Sequence, residues 1–112
     1  MGAAAALTVE FDRSGGNLVA YLVGELDLAT SAVLTEEVIS HVDQHTRRVV
    51  LDLAMLNFCD CVGLRVLMSL DHYLETYGVT VVLRDPCRSF RRMLEVTGAD
   101  ERLSILGVGP DR

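Results

Sequence analysis

Residues 49–70 read VVLDLAMLNFCDCVGLRVLMSL, with Cys59, Asp60 and Cys61 immediately ahead of an apolar pattern of helical period that opens on Val62 and Gly63. A helix start offers unpaired N–H donors and about half a positive charge, so negative groups are favoured there. A thiol in that setting ionises more readily, and thiolate is the oxidisable form, whereas the neighbouring carboxylate of Asp60 opposes a second negative charge. A phosphoryl group would be held by the same donors while placing a roughly doubly negative patch on the surface. Cys61 is therefore a candidate redox residue and Cys87, in a later loop, its candidate partner; their disulfide would need Cα atoms ~4.4–6.8 Å apart. Cys59 is either a third redox thiol or a small apolar filler. The C-x-C spacing falls short of the four ligands of a structural zinc site, and His41, His45 and His72 have no ligand at matched offsets. No metal, cofactor or catalytic set is read from the sequence.

These groups must be positioned by the elements around them. Residues 7–12 alternate apolar and polar, 14–17 carry turn chemistry and 18–23 form a second apolar run, which predicts a hairpin. Thr30 or Ser31 can cap a helix over roughly 31–45 with Leu34, Val38 and Val42 on one face. Val49 to Leu53 reads as a strand buried on both faces, with Asp52 meeting solvent or a backbone amide near its end. From Val62 the helical stripe takes Gly63, Val66, Leu67, Leu70, Tyr73, Leu74 and Tyr77, and Gly78 stops it. Leu64 and Met68 fall off that stripe, beside Arg65 and His72, and are expected to face water. Residues 79–83 give a further strand, 89–97 a short helix ended by Gly98, and 103–106 a possible last strand. The order is β-β-α-β-α-β-α. It predicts an α/β fold with a mixed sheet of four to five strands covered mainly by helices, in which loops 24–27, 57–63 and 85–88 share one end.

The 112 residues are 50% hydrophobic, enough for one domain over 1–112, ordered from about 7 to 106, with 1–6 and 107–112 expected to be flexible. A net charge of −6 without a large basic block argues against nucleic acid as a partner. No apolar run approaches the ~20 residues of a membrane span and 1–7 lacks the basic start of a signal peptide, so a cytoplasmic protein without membrane contact is expected. An odd count of cysteines in such a chain points to reduced thiols. Nothing in the pattern requires more than a monomer.

Three collinear blocks, GELDLAT (24–30), VVLDLAMLNFCDCVGLRVLM (49–68) and VVLRDPCRSFRRMLEVTGADERL (81–103), resemble the bacterial anti-sigma factor antagonists, the STAS domain family. The resemblance implies a small non-enzymatic α/β domain that binds an anti-sigma factor of serine-kinase fold and so frees a sigma factor. In responsive members the kinase phosphorylates a serine in a D-S-S-G-L motif and the phosphorylated antagonist lets go. Asp60, Cys61, Val62, Gly63 and Leu64 occupy that motif here, so Val62 stands where the acceptor serine would be and has no hydroxyl. Asp27 matches the acidic residue of the family's G-E-[IL]-D block, whose loop lies beside the phosphorylation loop. The resemblance thus implies partner contacts from Asp27, Asp60, Cys61, Val62, Gly63, Leu64, Arg65 and Met68, with Asp27 equally able to act as a local cap. Two other functions compete: a STAS module of a larger stress-sensing or transport complex, and a thiol oxidoreductase, for which C-x-C is poor support beside the usual C-x-x-C.

Overall fold

The computed structural model describes residues 6–112. The hairpin strands are β1 (Leu7–Ser14) and β2 (Asn17–Leu26), antiparallel and in register from Leu7 opposite Gly24 to Ser14 opposite Asn17. Helix α1 (Ser31–His41) follows, then β3 (Arg48–Asp52), β4 (Leu56–Cys59), α2 (Cys61–Glu75), β5 (Thr80–Arg84), α3 (Arg88–Thr97) and β6 (Ser104–Leu106). The sheet has six strands in the order β1-β2-β3-β5-β6, with β4 also paired to β2. The expected count of four to five strands is corrected by β4, a segment read from sequence as loop. Four residues without a β-branched side chain carry too little periodicity to announce a strand.

Strand β2 is ten residues long and accommodates two parallel partners in succession: Asn17–Tyr21 pairs with β3, and Gly24–Leu26 pairs with β4. The register shifts between Gly24 and Glu25, where Gly24 takes a φ of +118° and approaches the carbonyl of Ala6 too closely for a Cβ. From β2 the parallel strands advance in one direction across the sheet. Right-handed crossovers then set all three helices on the same face. Core membership agrees: Leu34 and Val38 of α1, Leu64, Leu67, Leu70 and Leu74 of α2, and Phe90 and Leu94 of α3 share one cluster with Leu18, Ala20, Leu22, Val49, Leu51, Val81 and Leu83. The alternate residues Val19, Tyr21, Val50 and Val82 lie outside that cluster. Helices therefore pack on one face only, yet β3 is buried on both faces as expected, with Val50 7% and Asp52 8% exposed on the side away from the helices.

Helix α1 stops short of residue 45. Val42 is already extended, and the Asp43 carboxylate accepts from the backbone N–H of His45 at 2.8 Å, a side-chain turn that competes with further helix. Residues 107–112, expected to be flexible, run back over the start of α3. The backbone N–H groups of Arg88 and Ser89 donate to the carbonyls of Pro110 and Arg112, each at 3.0 Å, and the Arg112 guanidinium reaches the Ala54 carbonyl at 3.2 Å. Expectations for residues 1–5 lie outside the described residues.

Candidate functional site

Strand β4 brings the three predicted loops to one pole, at the carboxyl ends of the parallel strands. Leu26 pairs with Cys59, and the Asp60 N–H donates to the Leu26 carbonyl at 3.4 Å, so the turn after β2 lies against the start of α2. A groove of about 240 Å³ is lined by Leu53, Phe58, Cys59, Cys87, Phe90 and Met93 among others, and joins the 57–59 segment to 87–90.

Asp60 is the N-cap of α2. Its carboxylate accepts from the Gly63 N–H at 2.9 Å, and its carbonyl accepts from the Leu64 N–H. Cys61 and Val62 are thereby the first two helical residues, Cys61 exposed and Val62 half-buried. Exchanging Asp60 for alanine removes this cap, and urea unfolding is expected to show a loss of about 0.5–2 kcal/mol. Gly63 faces the sheet: a Cβ there would stand 2.6 Å from the Leu26 carbonyl oxygen and 2.7 Å from the Cys59 Sγ.

Asp27 makes a capping box one turn ahead of α1. Its carboxylate accepts from the Thr30 N–H at 3.1 Å, and its own N–H donates to the Thr30 hydroxyl at 3.0 Å. The Thr30 hydroxyl also donates to the Glu25 carbonyl at 2.8 Å, so Thr30 fastens the turn to β2 and its side chain does not cap α1. Asp52 meets the backbone amide of Ala54 at 3.1 Å, as expected of a strand-end carboxylate, and also accepts from the Arg84 Nε at 2.8 Å.

The exposed patch expected on α2 is corrected. Leu64 is 4% exposed and belongs to the core, and Met68 is half-buried against it, whereas Arg65 is exposed. Tyr73 and Tyr77, expected inward, stand outward with ring centroids 5.2 Å apart. The buried stripe is Gly63, Leu64, Leu67, Leu70 and Leu74; reading the amphipathic tyrosines as core turned the wheel by one position. The apolar side chains that reach solvent at this pole include Leu28 (75% exposed), Met55 (60%) and Phe58 (49%). Sequence reasoning passed over all three because each lies in a turn or in the unrecognised β4. The signal available was their bulk within segments otherwise read as connecting loop.

The cysteines divide by burial. Cys59 and Cys87 line the groove, whereas Cys61, the proposed partner of Cys87, is exposed at the helix start and does not line it. All three are free thiols. Burial, and then the charge of Asp60, push the Cys59 thiol up to about 12. At pH 8 a thiol so raised holds about a thousandfold less thiolate than an ordinary one, so timed alkylation with mass spectrometry is expected to label Cys61 well before Cys59. The folded state keeps the Cys59 proton above the ordinary value of 9.0, so this group also makes stability fall as pH rises from 9.0 toward about 12. Among the described residues no group of three or more His, Cys, Asp or Glu is placed to hold a metal ion. His41 instead stacks on Phe11, with ring centroids 3.7 Å apart. No helix among these residues is long and apolar enough to cross a membrane.

The fold that carries this helix start is matched in sequence as well as in shape. Residues 9–107 fit the family described as Mlab, STAS domain. The chain belongs to the STAS domain family. Within this family it is 32% identical over 106 residues to BtrV of Bordetella bronchiseptica, named as a candidate anti-sigma factor antagonist, across 95% of this chain and 89% of BtrV. The crystal structure of an anti-sigma factor antagonist from Mycobacterium paratuberculosis superposes with a TM-score of 0.74 at 27% identity, covering 90% of this chain and 86% of that one. SpoIIAA, an antagonist from Bacillus, solved in its unphosphorylated form, shares the fold with a TM-score of 0.71 at 19% identity, over 89% of this chain and 87% of its own. The chain is thus a STAS domain whose relatives include anti-sigma factor antagonists.

Proposed function

We propose that this STAS domain binds an anti-sigma factor of serine-kinase fold through the pole around the start of α2, and so releases a sigma factor without being switched by phosphorylation there. The observation that carries this reading is Val62, a residue with no hydroxyl at the second helical position of a start capped by Asp60. A phosphate at such a place would turn an apolar rim into a roughly doubly negative patch facing the partner. Valine keeps the surface permanently in its uncharged form. Leu28, Met55 and Phe58, exposed in the turns at the same pole, offer apolar contacts, and the exposed Arg65 adds a charged one. Asp27 and Asp60 hold the two turns in shape, and Gly63 and Leu64 seat the helix beneath them. The domain acts by binding in the cytoplasm and not by catalysis.

Cys61 is the thiol through which an oxidant would reach this surface, and Cys87 follows only if the groove opens. The reading is tested by incubating the protein with its anti-sigma partner and ATP, then measuring affinity and mapping phosphate by mass spectrometry. Unchanged affinity with no phosphate in residues 57–64 is expected. Phosphate in that segment together with lost binding would overturn it.

A further inference from the structure

All ten basic residues of the chain are arginines, and three of them fall within five positions of α3 although the net charge is −6. Arg88, Arg91, Arg92 and Glu95 follow the i, i+3, i+4, i+7 spacing that sets side chains on one face of a helix. Phe90 and Leu94 point the other way, into the core. These four charged side chains alone line a shallow cleft of about 200 Å³. Like charges at such spacing oppose helix formation. Glu95 does not relieve them, because among the described residues neither Arg91 nor Arg92 forms an ion pair. The Nε of Arg91 is moreover buried with no hydrogen-bond partner, so the fold leaves donors of this guanidinium unused.

The chain itself shows which chemistry suits this face. Residues 109–112 run against the start of α3, where the Gly109 N–H donates to the Pro86 carbonyl and the Arg88 N–H to the Pro110 carbonyl. They bring the Asp111 carboxylate to Arg88 at 3.3 Å, a contact with both side chains exposed and therefore weak. Arg91 and Arg92, one turn further along, receive no carboxylate. The planar fork of a guanidinium matches a carboxylate in geometry as well as in charge.

We infer that the arginine face of α3 binds an acidic segment of a partner protein, whose carboxylates engage Arg91 and Arg92 and displace Asp111 from Arg88. In physiological salt a short peptide feels only the charges within about 8 Å, and so meets the basic face alone. An anionic membrane or a nucleic acid would meet the negative charge of the whole chain as well. The face shares no residue with the contacts proposed around the start of α2, so the inference does not rest on the anti-sigma reading.

Hexaglutamate titrated into the isotopically labelled whole chain at low salt, followed by NMR, tests the inference. Saturable shifts are expected along α3 and at the Arg92 guanidinium, with a Kd of about 0.1–1 mM that weakens as added salt screens the charges. Arg92 is exposed, so Arg92→Gln is expected to weaken binding about threefold with an unchanged thermal melt, and the double variant Arg91→Gln, Arg92→Gln about tenfold. Asp111→Asn releases Arg88 and is expected to tighten binding about twofold. Phe58→Ser, at the pole, is expected to leave it unchanged. Shifts on α3 that are absent or never saturate overturn the inference, as does a double variant that binds as the wild type does. A protein that ignores hexaglutamate but cosediments with phosphatidylglycerol vesicles through Arg91 and Arg92 overturns it too, and would make the face a membrane contact.

Discussion

Placing glutamate at position 62 is expected to leave the domain folded while weakening anti-sigma binding by about tenfold to a thousandfold, since an unpaired carboxylate trapped in an interface costs on the order of 1.5–4 kcal/mol. The fold tolerates the change for local reasons. Val62 is half-buried in the first turn of α2, where a carboxylate is favoured by the helix dipole by about 0.3–1 kcal/mol and a β-branched side chain is no asset. Stability and affinity therefore move in opposite directions, which separates a lost contact from a lost fold. Val62→Ser supplies the complementary result. It should bind as the wild type does until kinase and ATP are added, and then release. Titration calorimetry of both variants beside the wild type measures this; a Val62→Glu protein that binds at wild-type strength would remove the start of α2 from the interface.

The second large effect is at Gly63. In an open helix, alanine in place of glycine stabilises by about 1 kcal/mol, so the sign of the change is informative. Here the new methyl would stand 2.6 Å from the Leu26 carbonyl oxygen, 2.7 Å from the Cys59 Sγ and 3.0 Å from the Leu26 Cγ. Backbone cannot yield as a flexible side chain does. Gly63→Ala is expected to destabilise the domain by about 1–3 kcal/mol and lower Tm by roughly 5–15 °C, with α2 pushed off β2. Urea midpoints at constant slope would register it. An alanine variant more stable than the wild type would show that α2 does not need this close seat.

Wherever an element had a strong period or a stop residue, its position was legible from sequence. The hairpin, α2 from residue 61, α3 ending at the left-handed Gly98 and the short β6 all lie close to their expected places. Residues that pair locally through side chains were harder to read. Asp43 ends α1 early by accepting from His45, and Leu56 to Cys59 form a strand because Gly24 lets β2 change partner, an event set by backbone geometry far away in sequence. The same holds for the site. Asp60 and Val62 were legible because motif and helix start coincide. Leu64 was misplaced because two tyrosines took its stripe, and Met55 and Phe58 were invisible without β4. The cysteine pairing was read from loop adjacency alone, whereas burial groups Cys87 with Cys59.

The double pairing of β2 has a further consequence. The strand that turns at Asp27 and abuts Gly63 at Leu26 is also hydrogen-bonded to β1, β3 and β4, and every pairing except the hairpin joins segments distant in the chain. The proposed binding pole is thus tied to the completed sheet, and its formation and melting are expected to follow those of the central strands. Free energy gained by a partner at α2 would accordingly appear as slowed hydrogen exchange throughout the central strands, and not as the quieting of one loop.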